Sequence, residues 1–185
     1  MRLLYLDIDG VLNRCQKHTN GYLGMVIECV GHLNRVLREV PDAQVVVTSA
    51  WRYMVHNDMG TVGGLELMLL SHGLEVQDRV YGVTGTDETA IEGAHQLHQP
   101  AAEWWEWLRI HAPQVRSKQV LDHLDKYKPL GMPGFAVVDD MALDVPRFVQ
   151  TRGQVGLTAE HASRLIELLR QDIEPGQPYY QERGL

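Results

Sequence analysis

Asp7 and Asp9 stand one residue apart at the end of the apolar run 3–6, and Gly10 follows at once. Alternation along an extended segment puts both carboxylates on one side and Ile8 on the other. Two acids at the end of a buried strand repel each other and resist desolvation, a cost that a cation or an incoming substrate offsets. A turn cap made by local hydrogen bonds is the other reading, and on this stretch the two are balanced. Two further apolar runs end in related groups: 43–47 in Thr48 and Ser49, and 135–138 in Asp139 and Asp140. Carboxylates and hydroxyls gathered together suit a hard cation such as Mg²⁺, which takes one or two carboxylates plus waters and phosphate oxygens. A carboxylate beside such an ion stays ionised, as a nucleophile requires. A second could hand a proton to a leaving group and later take one from water. A hydroxyl and the backbone N–H groups after it could grip phosphoryl oxygens, with a basic residue balancing transition-state charge.

These groups meet only if the elements bring them together. Residues 26–40 carry Val26, Ile27, Val30, Leu33, Val36 and Leu37 at the spacing of a helix with one buried face, ended by Pro41 and Asp42. The β-branched run 43–47 predicts a second buried strand, 65–70 a short helix stopped at Gly73, and 74–83 a third strand. Residues 85–100 are polar and without periodicity, which predicts a long loop of the functional or mobile kind. Two helices are expected over 101–111 and 116–127, then strands at 135–138 and 147–151, and a last helix N-capped by Thr158. Strands alternating with helices predict an α/β domain on a mainly parallel sheet, whose ligands bind beyond the carboxyl ends of the strands. Three of those ends carry the polar groups named above, and their convergence on one edge favours the cation site over the turn cap.

The 185 residues suffice for one domain with a core of its own, and 44% apolar and 22% charged content is ordinary for a soluble globular chain. Cys15 and Cys29 make neither a zinc motif nor a disulfide framework, which suits a reducing compartment. No signal segment opens the chain and no apolar run is long enough for a bilayer, so a cytoplasmic protein without membrane contact is expected. A net charge of −7 gives no nucleic-acid-coating signature, yet a phosphorylated substrate stays open because a bound cation supplies positive field locally.

The segment Asp7-Ile8-Asp9-Gly10-Val11-Leu12-Asn13 resembles the first motif of the haloacid dehalogenase-like (HAD) superfamily, D-x-D-G-x-L-N. Val45-Val46-Val47-Thr48-Ser49 resembles the second motif and Val137-Val138-Asp139-Asp140 the fourth, in the family's order. Trp51-Arg52 and Gly82-Val83-Thr84 further resemble a subgroup of HAD domains associated with RNA repair proteins. The resemblance implies an α/β fold with a Rossmann-like core, helices on both faces and a small or absent cap. It also implies phosphoryl transfer through an aspartyl-phosphate. By position Asp7 would be nucleophile and metal ligand, and Asp9 general acid/base with its main-chain carbonyl on the metal. Thr48, with Ser49 as second choice, would bind phosphate, and Asp139 and Asp140 would complete the Mg²⁺ site. For the basic residue of motif three, Lys118 is preferred because Lys is usual in the family. Arg116 is the alternative, in register with the R-G-x-E-I pattern of the subgroup.

The expected organisation is one hydrolase domain over 1–174 and a tail over 175–185. Too few residues separate the first two motifs for a sizeable cap, whereas 84–115 leave room for a small lid carrying Trp104, Trp105 and Trp107. The expected activity is a Mg²⁺-dependent phosphomonoesterase acting on a small molecule or a nucleic-acid end. End processing predicts a basic strip drawn from Arg52, Arg79, Arg109 or Arg116. A HAD-fold binding domain without turnover is the alternative of another class. Gly60-x-x-Gly63-Gly64 lacks the Lys-Ser/Thr of a P-loop and is read as flexible loop, and His95 and His98 as a surface pair.

Overall fold

The computed structural model describes residues 1–14, 24–52, 55, 60–85, 101–127, 131 and 133–173, with backbone alone over 101–110. Five strands form one parallel sheet: β1 (Arg2–Leu6), β2 (Ala43–Val47), β3 (Val80–Val83), β4 (Gly134–Asp139) and β5 (Phe148–Gln150), in the order β3-β2-β1-β4-β5. The described α-helices are α1 (Ile27–Glu39), α2 (Val62–Ser71), α3 (Ala101–Asp125) and α4 (Ala159–Arg170). A 3-10 turn, Ala50–Arg52, follows β2.

The central strands are apolar throughout because both sheet faces are covered. Leu4, Leu6, Val45, Val47, Ala136 and Val138 pack against α1, α2 and α4, while Leu3, Tyr5, Val46, Phe135 and Val137 pack with Val120 and Leu124 of α3. Handedness accounts for this division. The chain steps from β1 through β2 to β3 with α1 and α2 on one face, then reverses direction to reach β4. A right-handed crossover in the reverse direction places its helix, α3, on the opposite face. The order reverses beside β1, which is where ligands bind in open sheets of this kind.

Strands and helices thus match the expected α/β architecture, with four local differences. The third strand is confined to Val80–Val83: Leu74 and Val76 are buried as the alternation predicts, but the backbone turns at Asp78, where φ is 57°. The two helices expected over 101–127 are one, α3, with Pro113 inside it. A proline deletes one backbone donor, and here the flanking turns carry the helix through. The second helix begins three residues early because Thr61 caps it, accepting from Gly64 N at 3.1 Å. That cap draws Gly63 and Gly64 into the first turn, in place of the flexible loop expected there. Thr158 caps α4 as predicted. The loop 86–100, the tail 175–185 and the side chains of the tryptophan segment lie outside the described residues, and with them the lid and tail expectations.

Candidate active site

All five strands place a polar residue at the carboxyl edge of the sheet. Asp7 N bonds Val138 O at 3.0 Å, Thr48 N bonds Leu6 O at 2.9 Å, Thr84 N bonds Val47 O at 3.1 Å and Thr151 N bonds Asp139 O at 2.9 Å. These bonds extend the parallel ladder by one rung, so the residues after β1, β2 and β3 sit level with Asp139 at the end of β4, and Thr151, after β5, sits level with Asp140. Alternation then sets their direction. Asp7 continues the face of Leu3 and Tyr5, Thr48 that of Val46, and Asp139 that of Phe135 and Val137; all three belong to the face covered by α3.

From that helix Arg116 reaches down to the carboxylates. Its Nη1 lies 2.8 Å from Asp7 Oδ1 and donates to Asp139 Oδ2 at 2.7 Å. Lys118 does not join it. Two residues along a helix are about 200° apart around the axis, so the Lys118 side chain is 68% exposed and pairs with Asp122 at 2.6 Å. The sequence preference for Lys118 is therefore corrected: the basic group at this edge is Arg116.

Asp7, Asp139 and Asp140 each offer an oxygen, all within 4.8 Å of one another. Asp7 and Asp139 are buried, and Asp7 Oδ1 accepts no hydrogen bond. Burial pushes the Asp7 carboxyl well above the usual carboxylate range; Arg116 opposes this, while Asp139, Asp140 and Asp9 add to it. Burial likewise raises Asp139, again against Arg116, and Asp140 is raised by burial and by Asp139. Arg116 is itself held fully charged: burial alone would depress it, but Asp7 and Asp139 more than compensate. One guanidinium facing three acids leaves negative charge in excess. An oxygen-only donor set with an orphaned buried oxygen fits a hard divalent cation.

Asp140 stands against the loop after β1. Gly10 has φ 81°, and a Cβ on it would collide with the Asp140 carboxylate, so this turn admits only glycine. Thr151 Oγ1 donates to Gly10 O at 2.9 Å and Asn13 Oδ1 accepts from Gly10 N at 2.9 Å, which hold the turn in place.

Asp9 sits apart from the three-carboxylate cluster. Past Gly10 the chain is no longer extended, and the Asp9 carboxylate accepts from Asn13 Nδ2 at 2.7 Å and from Trp51 Nε1 at 3.2 Å. The two hydroxyls after β2 have different surroundings. Thr48 Oγ1 is fully buried and has no hydrogen-bond partner, whereas Ser49 Oγ accepts from Trp51 N at 3.0 Å and so shapes the turn. Arg52 is buried beneath that turn, donating to Thr48 O and, at 2.9 Å, to Ser49 O.

Sequence reasoning missed the Trp51 and Asn13 contacts to Asp9 and the part played by Thr151. The strand-end rule that singled out Thr48 applies equally to Thr151. Nothing in the residue types reveals the indole contact, because it depends on how the 3-10 turn folds back. The basic strip expected for nucleic-acid ends does not form among the described side chains. Arg52 is buried, Arg116 is half-buried and committed to Asp7 and Asp139, and Arg79 donates to Leu37 O at 2.6 Å near the start of β3, away from the carboxyl edge. The Arg109 side chain lies outside the described residues.

A parallel, doubly covered sheet with a carboxylate cluster at its carboxyl edge defines a Rossmann-like α/β domain of HAD type. Against protein-family models, the chain matches the HAD domain in Swiss Army Knife RNA repair proteins over residues 3–162. The chain belongs to this HAD-like family. Searches of the curated proteins and of the solved structures each return no match. No helix among the described residues is long and apolar enough to cross a membrane.

Proposed function

We propose that this chain is a divalent-cation-dependent phosphomonoesterase, Mg²⁺ being the ion its donor set favours. The observation that carries the reading is the cluster of buried Asp7 and Asp139 with half-buried Asp140, and Arg116 against the first two. Asp7, Asp139 and Asp140 would hold the cation, with the Asp9 main-chain carbonyl as a further ligand. When bound, the ion would neutralise the excess negative charge and polarise a phosphoryl oxygen.

Asp7 supplies the nucleophilic carboxylate, and its oxygen forms a bond to phosphorus as the bond to the leaving oxygen breaks. Asp9 gives its proton to that leaving oxygen. In the second half it takes a proton from the water that attacks phosphorus, releasing phosphate and restoring Asp7. Thr48 Oγ1, buried without a partner, is a ready donor to a phosphoryl oxygen. Arg116 offers a permanent positive charge to the same oxygens. Ser49, committed to the turn, contributes through its position rather than its hydroxyl.

A phosphorylated RNA end is the substrate class that the family description favours, since it places such domains in RNA repair proteins. The burial of Arg52 and the commitment of Arg116 to Asp7 and Asp139 weigh against a long basic track and towards recognition of the terminal nucleotide alone. A binding domain without turnover would have no use for this complete set of groups. The test is a phosphate-release screen over sugar phosphates, nucleotides and 5′- or 3′-phosphorylated oligonucleotides, with Mg²⁺ and with chelator. Chelator-sensitive release supports the reading; no release from any of them contradicts it.

A further inference from the structure

The Asp9 carboxylate is held from two sides, by Asn13 of its own loop and by Trp51 of the turn after β2. Within the loop, Asn13 is oriented by its own Oδ1, which takes Gly10 N, so its amide N–H₂ faces Asp9 Oδ1. From the turn after β2, the indole Nε1–H of Trp51 donates to Asp9 Oδ2. That indole stands on a stiff base. Trp51 N is tied to Ser49 Oγ, Arg52 N to Ser49 O at 3.0 Å, and the buried Arg52 guanidinium to the carbonyls of Thr48 and Ser49. Trp51 is also packed against the core beneath α1 and α2. The same turn thus fixes Thr48 at one end and the Asp9 carboxylate at the other.

We infer that Trp51 is a positioning residue, whose indole N–H fixes the Asp9 carboxyl in the orientation from which it protonates the leaving group. The inference rests on the reading of Asp9 as proton donor given above. An aspartate has two freely rotating bonds, and a proton transfer needs its oxygen within hydrogen-bond reach of the leaving oxygen. Asn13 alone pins one oxygen and leaves the carboxyl free to swing about it. A second donor on the other oxygen removes that freedom. Phenylalanine at 51 keeps most of the ring and loses the donor, so it isolates the hydrogen bond from the packing.

The test compares kcat/KM for an alkyl phosphate, whose leaving alkoxide needs a proton, with that for an aryl phosphate whose acidic phenol leaves without one. The parameter kcat/KM covers steps up to departure of the leaving group. Its ratio between two substrates does not depend on how much of a preparation is folded. Trp51→Phe should lose about tenfold more on the alkyl than on the aryl ester, within the range general acid catalysis spans. Asp9→Asn should show the same bias more strongly. Equal losses of Trp51→Phe on both esters, with the bias intact in Asp9→Asn, would mean that Trp51 only packs and would overturn the inference. An unbiased Asp9→Asn would instead remove the proton-donor reading itself, and the inference with it.

Discussion

Arg116 shows how a single side chain decides the electrostatics of the edge. It is the positive group set against Asp7 and Asp139, with Asp140 beside them. Its Nη1 meets both the Asp7 and the Asp139 carboxylates, at the end of a planar head whose charge is permanent. Arg116→Ala should lower kcat by about a hundredfold or more, whereas Lys118→Ala should leave it within twofold, both read from phosphate release. Arg116→Lys should fall between, because charge survives but sits on a shorter side chain without the planar head. Asp140 makes the opposite point. Its pKa is raised, so the folded state binds the Asp140 proton more tightly than the unfolded chain. Ionising the group without a cation therefore costs stability. Asp140→Asn should raise the thermal midpoint of the metal-free protein by about 2 °C while weakening Mg²⁺ binding, measured by melting and by titration calorimetry. On the proposed reading stability and function are in conflict at that residue, and a bound cation would resolve the conflict.

At the scale of elements, α3 is the part that delivers Arg116, and its seating on the sheet sets where the guanidinium lands. Arg116, Val120 and His123 follow one another down one face of the helix, and Tyr127 lies just past its end. Two turns below Arg116, His123 Nδ1 lies 2.8 Å from the buried Tyr5 hydroxyl, with the rings edge-on at 5.6 Å. Burial, with Lys126 adding to it, depresses His123 to about 4, and burial also pushes the Tyr5 hydroxyl far up. A neutral imidazole accepting from Tyr5 is thus the stable pairing. Because the folded pKa lies below that of the unfolded chain, the unfolded state binds more protons between about pH 6.5 and 4. The stability contributed by His123 is complete above that window and is lost as pH falls through it. Thermal midpoints measured from pH 7 to 4 should drop, and His123→Gln should flatten that part of the slope. None of this was visible in the chain, where 116–127 read as one amphipathic helix separated from 101–111. The apolar residues Val120, Leu121 and Leu124 set its period, and a polar His–Tyr contact between distant segments carries no periodic signal. The same reason explains Lys118 over Arg116: residue type favours lysine, and only the phase of the helix against the sheet selects arginine. Strand identities were legible because a doubly covered parallel sheet needs unbroken apolar runs. Strand ends were legible because each run stops in a polar residue, and β3 was overextended because Leu74 and Val76 are buried outside any ladder.

For the molecule as a whole, the order β3-β2-β1-β4-β5 is what turns scattered sequence motifs into a site. With β1 central, its neighbours β2 and β4 bring Thr48 and Asp139 to either side of Asp7, and the opposite face belongs to α1, α2 and α4. The edge is acidic in a chain of net charge −7, so on the proposed reading a cation would let a phosphate monoester approach it. The account turns on Asp7, the residue that sits between both neighbours, faces Arg116 and keeps an oxygen without a hydrogen bond. Asp7→Asn preserves its volume and removes its charge. With an aryl phosphate and Mg²⁺, the wild-type chain should release phosphate and stop on chelation. Asp7→Asn should fall by at least about a thousandfold while retaining the wild-type circular dichroism spectrum. Wild-type turnover by a folded Asp7→Asn variant would contradict the mechanism.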